Sequence, residues 1–320
     1  MTQKPNTPDV VVTADAIEGS WVYRNAPNWM RPYLKLARMD RPVGTWLLLW
    51  PCWWSVALAL GGELRVKPFY YMVLFAIGAL AMRGAGCTYN DMVDRDFDAQ
   101  VDRTKSRPIP AGEVSMKQAA AFLGFQCVLG LLVLLQLNSF AIVVGVSSLL
   151  LVAGYPFMKR ITYWPQAWLG LTFNWGALVG WAAMQGNLTA APIVMYAGTI
   201  FWTLGYDTIY AHQDREDDAL VGVKSTALAL GEKTGSALKV FYSIFIFALI
   251  AAGYLANLGE FYYIGITFAA VQLWRQIVRV DINAPDVCLE VFRSNISFGW
   301  IVFVSLLAGQ FLPRFQEILG

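Results

Sequence analysis

Two short acidic windows hold ten of the 22 Asp and Glu residues of this 320-residue chain. The windows read NDMVDRDFDAQVD over residues 90–102 and DTIYAHQDREDD over residues 207–218. Each contains two aspartates four residues apart, namely Asp94 with Asp98 and Asp214 with Asp218. On a continuing helix this spacing puts both carboxylates on one face, one turn apart, where like charges repel unless a cation lies between them. The spacing therefore predicts a cation site at each window.

Magnesium suits such carboxylate pairs, because Mg²⁺ prefers oxygen ligands and commonly bridges one or two carboxylates to substrate phosphates. Two Asp pairs facing each other across a helical bundle would hold Mg²⁺ ions with a diphosphate between them. The pairs recur at an offset of 120 residues, from 94 to 214 and from 98 to 218, which fits two similar half-bundles. A calcium loop fits poorly, since Ala99 stands where an EF-hand needs its glycine. For either window alone, a solvated acidic loop is the alternative.

Basic residues accompany both windows. They are Arg103, Lys105 and Arg107 after the first window and Lys224 after the second. Arg83 lies about two turns before the first window inside an apolar segment, where an ionisable group is by default a functional hypothesis. Lys and Arg beside Mg²⁺ compensate the charge that grows on a departing diphosphate. For Lys159 and Arg160, the positive-inside bias of membrane proteins is an equal alternative.

The elements that position these residues are predicted to be membrane-spanning helices. The chain is 57% hydrophobic and 14% charged with a mean hydropathy of +0.48, whereas soluble domains are about one quarter charged. Nine segments approach the roughly 20 apolar residues that a spanning helix needs. They are 43–60, 68–89, 118–137, 139–158, 164–186, 190–210, 240–258, 261–279 and 295–312. We therefore predict an all-α integral membrane protein with nine transmembrane helices around a central cavity.

The Lys and Arg positions predict the orientation of these helices. With the N-terminus in the cytoplasm, 20 of the 24 basic residues lie on the cytoplasmic side. Arg83 lies within the second segment, and Arg65, Lys67 and Arg314 lie on the far side. These positions predict a multi-pass protein with its active site facing the cytoplasm. The location that we expect for it is the bacterial inner (plasma) membrane.

The N-terminal region differs in composition from the apolar segments. Residues 1–28 form a polar leader that we expect to be disordered, followed by one transmembrane domain over 29–320. The leader lacks the basic start and apolar core of a signal peptide, and its acidic residues count against a mitochondrial transit peptide. Residues 29–40, WMRPYLKLARMD, have the mixture expected of an amphipathic helix on the membrane surface, with a solvated leader as the alternative.

Other residues carry weaker signals. A net charge of +2 gives no indication of nucleic-acid binding. The four cysteines are far apart and are interpreted as reduced packing residues. His212, the only histidine, could be a base, but a structural or solvent-exposed role is favoured because it lies on a different helical face from Asp214.

Taken together, four motifs resemble the UbiA-type membrane aromatic prenyltransferases. They are NDxxDRDxD at Asn90–Asp98, YxxxK at Tyr155–Lys159, DxxYAxxDxxDD at Asp207–Asp218 and GVKSTA at Gly222–Ala227. The segment RMDRPVGTWLLLWPCWWS, residues 38–55, is most similar to the 4-hydroxybenzoate polyprenyltransferase branch of ubiquinone biosynthesis. The resemblance runs from about residue 30 to the end of the chain.

The resemblance implies transfer of a polyprenyl group from its diphosphate to the aromatic ring of 4-hydroxybenzoate, with Mg²⁺ as cofactor and the lipid bilayer as surroundings. Catalysis is assigned by the resemblance to Asp94, Asp98, Asp214 and Asp218, and the metal to these four with Asp91 and Asp217. Substrate contacts are assigned to Asn90, Asp91, Arg41, Arg83, Tyr155, Lys159, Arg160, Tyr210 and Lys224. The two tyrosines, next to the motifs, are the aromatic residues expected to stabilise an allylic cation.

Three alternatives remain open at this point. Naphthoate, homogentisate and haem are alternative acceptors, and only the segment at residues 38–55 argues for 4-hydroxybenzoate. A cation-coupled transporter would place acidic residues near the middle of the bilayer, whereas here they gather at helix ends. A CDP-alcohol phosphotransferase would need a DGxxAR opening, which the sequence lacks.

Overall fold

The computed structural model describes residues 19–62, 66–101 and 104–319, except for the side chains of Asp217 and of residues 313–319. Throughout these residues the regular structure is helical, without a strand. The first half contains α1 (Trp21–Arg24), α2 (Arg31–Leu36), α3 (Val43–Leu58), α4 (Val66–Asp98), α5 (Met116–Leu134), α6 (Ser139–Ser147) and α7 (Leu149–Ile161). The second half contains α8 (Pro165–Phe173), α9 (Gly176–Gln185), α10 (Ala190–Ala211), α11 (Arg215–Val221), α12 (Thr226–Leu230), α13 (Thr234–Leu255), α14 (Glu260–Arg279), α15 (Pro285–Arg293) and α16 (Asn295–Leu319).

Five helical stretches of the described chain are long and apolar enough to cross a membrane. They are Val66–Asp98, Met116–Leu134, Ser139–Ile161, Thr226–Leu255 and Pro285–Leu312. Helix α3 is apolar but shorter. These findings confirm an all-helical membrane protein as the fold class, while the count of nine spans stays a prediction.

The predicted apolar segments correspond to helices, but two of them are interrupted. The fourth segment is divided at Ser148 into α6 and α7. The fifth is divided at Asn174, whose side-chain amide donates to the carbonyl of Gly170 at 2.8 Å and to Oγ1 of Thr203 at 2.7 Å. Such a side chain re-satisfies polar groups at an interrupted helix, which is how breaks are tolerated inside membranes.

Part of the N-terminal leader, which the sequence predicted to be disordered, is helical. Residues 1–18 lie outside the described part of the chain, but α1 follows within the predicted leader, and its Val22 is fully buried. Only Arg31–Leu36 of the predicted surface helix is helical, and it buries Lys35 and Leu36. One side of this segment therefore packs against protein, while its position at the membrane surface stays a prediction. The division into a leader and one transmembrane domain stays a prediction.

The chain divides into two compact units, each with its own core. The first unit joins the chain up to Gly44 with Leu80–Leu129. Its apolar core is small, with Leu36, Val114 and Ala119 buried at the centre. This core joins α2 to the later part of α4 and the start of α5, which are the elements that carry the first acidic motif.

The second unit joins Thr45–Ala79 with the chain from Gly130 onward. Aromatic rings fill its centre, where Trp54 contacts Trp202 in a tilted arrangement at a centroid distance of 4.9 Å, and both residues are fully buried. Helix α10 packs against α13 and α8. Because α10 ends at Ala211, its packing fixes the position at which the second acidic motif begins.

Candidate active site

The first acidic motif lies on one continuous helix, as predicted. Helix α4 runs without interruption through Asp98. Asp91 and Asp94 are fully buried and Asp98 is 6% exposed, whereas Asp96 is exposed on the opposite face. The spacing of three and four residues puts the three buried carboxylates on one face of the helix. Asn90 begins the motif and is half-buried.

Two arginines hold this acidic face. Nη2 of Arg38 donates to Oδ1 of Asp91 at 2.6 Å. Nη1 of Arg107 lies 3.2 Å from the same oxygen and 2.7 Å from Oδ2 of Asp98, so its guanidinium bridges two motif residues. Buried carboxylates require such partners, because removing a charge from water is costly.

Arg38 has an unusual backbone conformation for this task. Its φ angle is 58°, in the left-handed region, where a residue with a Cβ is uncommon. Nη1 of the same side chain donates to the carbonyl of Lys35 at 3.1 Å. The short helix α2 therefore ends by turning the Arg38 side chain onto Asp91. No local sequence signal predicts this turn, and Arg38 was missed as a site residue.

Arg41 and Arg83, both predicted to contact substrate, lie in the first unit beside Asp40 and Gly44 respectively. Nε of Arg41 lies 3.4 Å from Oδ1 of Asp40, whose Oδ2 accepts a hydrogen bond from Tyr23 at 2.9 Å. The guanidinium of Arg83 covers Gly44, where an added Cβ would overlap it. Glycine at position 44 thus leaves the space that the Arg83 side chain uses.

The second acidic motif does not continue α10. The chain tightens into a 3₁₀ turn over His212–Asp214, and a new helix, α11, begins at Arg215. Asp214 is the residue before that helix, with a non-helical backbone at φ −111° and ψ 6°. The second window therefore does not form the one continuing helix on which a four-residue spacing would put both carboxylates on one face. Asp218 lies within α11 and is half-buried. The side chain of Asp217 is outside the described part of the structure.

Backbone contacts bring Lys159 and Lys224 next to the end of the second motif. Helix α11 ends at Val221, the next residue, Gly222, has a left-handed φ of 73°, and the amide of Val223 donates to the carbonyl of Asp218 at 2.9 Å. The next amide, that of Lys224, donates to the carbonyl of Lys159 at 2.8 Å. Both lysines were predicted to bind diphosphate, and the structure brings them together within one unit.

The side chain of Lys224 contacts residues at and just after the end of α7. Nζ of Lys224 donates to the carbonyl of Ile161 at 3.1 Å and lies 5.5 Å from the ring centroid of Tyr163. Arg160 is exposed, with its guanidinium 5.8 Å from the ring centroid of Phe157. The last turn of α7 carries two cationic residues, Lys159 and Arg160. Arg103, by contrast, lies outside the described residues.

The remaining predicted substrate residues are two tyrosines, both half-buried. Tyr155 lies on α7, one turn before Lys159. Tyr210 lies at the end of α10, and its ring centroid is 4.6 Å from that of Phe292. This ring contact fixes Tyr210 beside the start of the second motif.

Two hydrogen bonds tie the segment after the second motif to neighbouring helices. Oγ1 of Thr226 lies 2.7 Å from Oγ1 of Thr208 on α10, and the amide of Thr226 donates to Oε1 of Gln166 at 3.0 Å.

His212 is buried, not exposed, and its Nε2 lies 2.9 Å from Oγ1 of Thr234. Burial, followed by the charge of Arg215, lowers the pKa of His212 to about 4, so its imidazole is neutral at pH 7.

The donor set suits Mg²⁺ with a phosphate better than a closed protein cage. Among the described residues, no three His, Cys, Asp or Glu side chains converge as a metal-binding group. Oδ2 of Asp91, however, is a buried carboxylate oxygen that accepts no hydrogen bond from the described residues. Mg²⁺ usually takes one or two carboxylates and completes its shell with water and substrate phosphate, so the acidic face of α4 fits it.

The family model of the UbiA prenyltransferases matches residues 48–306. The chain belongs to the UbiA prenyltransferase family. Among curated relatives of this UbiA chain, the 4-hydroxybenzoate polyprenyltransferase, mitochondrial, of Arabidopsis thaliana is 51% identical over 92% of this chain and 72% of that protein. The protein of the same name from Homo sapiens is 47% identical over 96% of this chain and 83% of that protein.

Solved structures of other UbiA proteins share the fold. The apo structure of a UbiA homologue from Aeropyrum pernix K1 matches with a TM-score of 0.68 at 22% identity, covering 82% of this chain and 97% of that chain. A UbiA homologue from Archaeoglobus fulgidus, bound to DMAPP and Mg²⁺, matches with a TM-score of 0.61 at 20% identity, covering 85% and 99%.

The comparisons correct the predicted location. The relatives from Arabidopsis thaliana, Bos taurus and Homo sapiens all carry "mitochondrial" in their names, which points to a mitochondrial membrane. The prediction of a bacterial inner membrane is therefore wrong. Hydropathy and the distribution of Lys and Arg identify spanning helices in any lipid bilayer, so neither could have distinguished the two membranes.

Proposed function

We propose that this UbiA-family chain is a Mg²⁺-dependent 4-hydroxybenzoate polyprenyltransferase of ubiquinone biosynthesis. It transfers a polyprenyl group from polyprenyl diphosphate to the aromatic ring and gives 3-polyprenyl-4-hydroxybenzoate and diphosphate. The observation that carries this conclusion is 47–51% identity to enzymes of that name from Homo sapiens and Arabidopsis thaliana over almost the whole chain. The acidic motifs and their cationic neighbours supply the side chains that such a reaction needs.

Both acidic motifs bind the metal–diphosphate substrate in this proposal. Asp94 and Asp98 supply the carboxylates of the first motif, and the buried Oδ2 of Asp91, which accepts no hydrogen bond from the described residues, adds a further oxygen. Asp214 and Asp218, with Asp217 beside them, supply those of the second, and Asn90 contributes an amide to the diphosphate. When bound, Mg²⁺ neutralises charge on the diphosphate and makes it a better leaving group. The Archaeoglobus fulgidus homologue, bound to DMAPP and Mg²⁺, supports this choice of metal.

The cationic side chains stabilise the leaving diphosphate. Lys159 and Lys224, joined through their backbones, present ammonium groups at one edge of the second motif. Arg160, Arg83 and Arg41 add guanidinium groups. Negative charge grows on the bridging oxygen as the allylic C–O bond breaks, and preorganised cations stabilise that charge more than the ground state.

The acceptor ring then forms the new bond. The ring carbon ortho to the phenol hydroxyl attacks the allylic carbon, so that one C–C bond forms as the C–O bond breaks. The ring proton passes to the departing diphosphate or to a motif carboxylate. Tyr155 and Tyr210 offer π faces to the cationic allyl group as the C–O bond breaks.

The topology proposed for this reaction has nine spanning helices. The N-terminus and both acidic motifs lie on the membrane side that carries most of the Lys and Arg residues. The five long apolar helices and the shared UbiA fold support a helical bundle that crosses the membrane several times.

An acceptor screen tests the proposal. Purified protein in detergent receives Mg²⁺, a long polyprenyl diphosphate and, in parallel reactions, labelled 4-hydroxybenzoate, dihydroxynaphthoate or homogentisate. We expect a prenylated product with 4-hydroxybenzoate alone. A product with another acceptor and none with 4-hydroxybenzoate would refute the assigned substrate while leaving prenyl transfer in place.

A further inference from the structure

One buried hydrogen bond closes the segment that carries the second acidic motif. Nε2 of His212 lies 2.9 Å from Oγ1 of Thr234, and the two side chains are 5% and 0% exposed. His212 begins the 3₁₀ turn that contains Asp214, and Thr234 is the first residue of α13. The 21 residues between them include Asp218 and Lys224.

The geometry defines which atom donates in this contact. Oγ1 of Thr234 also lies 2.7 Å from the carbonyl of Gly231, and a carbonyl oxygen can only accept. The single hydroxyl hydrogen of Thr234 is therefore used on Gly231, so Nε2 of His212 must carry a hydrogen and donate it. In a neutral ring this leaves Nδ1 as the acceptor nitrogen, and Nδ1 is buried without a hydrogen-bond partner among the described residues.

The contact between His212 and Thr234 lies just after the end of α10, the helix that leads into the second acidic motif. Helix α10 stops at Ala211, and α11 is only seven residues long. A short helix has little stability of its own, so the direction of Asp214 and Asp218 depends on how its ends are held. The Thr208 to Thr226 contact holds the segment near its middle, and the His212 to Thr234 contact joins its two ends.

We propose that His212 is a positioning residue, which donates from Nε2 to Thr234 and thereby holds the second acidic motif in the geometry that binds the metal and the diphosphate. His212 does not touch the substrate in this role. The inference rests on the proposed function, since its effect is expressed through Asp214 and Asp218. A histidine that only fills the core would affect stability alone.

Two pairs of variants test the role of the hydrogen bond in the full-length protein. His212→Ala and Thr234→Val each remove one partner. His212→Gln keeps an N–H donor at similar reach, and Thr234→Ser keeps the hydroxyl. Tyr242→Phe is the matched control, because it removes a buried hydrogen bond to Gln276, 3.1 Å long, between α13 and α14.

The measurements are prenyl transfer at varied Mg²⁺ and varied polyprenyl diphosphate, and hydrogen exchange of residues 213–225 in substrate-free protein. Loss of a hydrogen bond worth about 1 kcal/mol predicts a roughly fivefold rise in the Mg²⁺ activation constant and in the KM for diphosphate. His212→Ala and Thr234→Val should both show this rise together with faster exchange, whereas kcat at saturation changes less. His212→Gln and Thr234→Ser should stay close to the parent protein.

Three results would overturn the inference. The first is that both disrupting variants keep the parent constants and exchange rates. The second is that they lose only thermal stability, as Tyr242→Phe is expected to do. The third is that His212→Gln behaves like His212→Ala. If His212→Ala does not fold, Thr234→Val decides the question. Failure of the proposed function is distinct, because the parent protein would then not prenylate 4-hydroxybenzoate at all.

Discussion

Nη2 of Arg38 lies 2.6 Å from Oδ1 of Asp91, across 53 residues of sequence, and both side chains are buried. The pair joins the turn after α2 to the helix that carries the first acidic motif. Asp94 and Asp98 follow Asp91 on that helix by about one and two turns. The orientation of the acidic face is therefore coupled to the N-terminal segment.

Asp91→Asn should destabilise the protein. Removing one partner of a buried ion pair leaves the other charge uncompensated, at a cost of about 3–5 kcal/mol. We expect a clear fall in the thermal unfolding midpoint in detergent. Asp96→Asn is the matched control, because Asp96 is an exposed aspartate on the same helix. Equal midpoints for the two variants would show that the pair does not hold this helix.

Gly44→Ala should disturb Arg83. The added Cβ would overlap the guanidinium, and overpacking of this kind typically costs about 1–3 kcal/mol. We expect weaker binding of polyprenyl diphosphate, measured as a higher KM. Gly86→Ala on α4 is the control, since an added Cβ there meets no atom within 4 Å. If Gly44→Ala matches this control in KM, the Arg83 position does not matter for the diphosphate.

Lys224→Met should weaken the diphosphate site without unfolding the chain. A hydrogen bond to a charged group contributes about 1.5–3 kcal/mol, which corresponds to a KM raised by at least tenfold. Lys233→Met is the control, because Lys233 is an exposed lysine nearby in the same segment. Steady-state transfer at varied polyprenyl diphosphate measures the effect. A KM unchanged from that of Lys233→Met would remove Lys224 from the site.

Chelation of divalent metal should stop catalysis and leave the fold intact. The described residues form no closed metal cage that would contribute folding energy. With EDTA we expect no product, full recovery on adding Mg²⁺, and an unfolding midpoint close to that of untreated protein. Activity that persists in EDTA would contradict the metal–diphosphate account, and unfolding on chelation would indicate a structural metal.

The sequence predicted the helical elements and the first motif well. Apolar runs of about 20 residues define spanning helices directly. On a continuous helix, the four-residue spacing of Asp94 and Asp98 puts both side chains on the same face. The second motif was predicted less well. Between Ala211 and Asp214 no Gly or Pro signals the end of α10, so the 3₁₀ turn could not be read from local sequence.

Long-range contacts account for the features that were missed. The left-handed backbone of Arg38 has no glycine to signal it, and its partner Asp91 is far away in sequence. The same holds for Thr234, an ordinary threonine in sequence that is significant only because His212 meets it in three dimensions. Periodicity identifies which residues share a helix face, but it does not identify which residues meet across the fold.

Asp94→Asn and Asp214→Asn most directly test our proposal that both acidic motifs bind the Mg²⁺–diphosphate substrate. The measurement is Mg²⁺-dependent prenylation of 4-hydroxybenzoate by each purified variant, with Asp96→Asn as control and the thermal unfolding midpoint as a check of folding. We expect both variants to be folded and to lose transfer almost completely, while the control keeps it. Retention of most activity by either folded variant would contradict the claim.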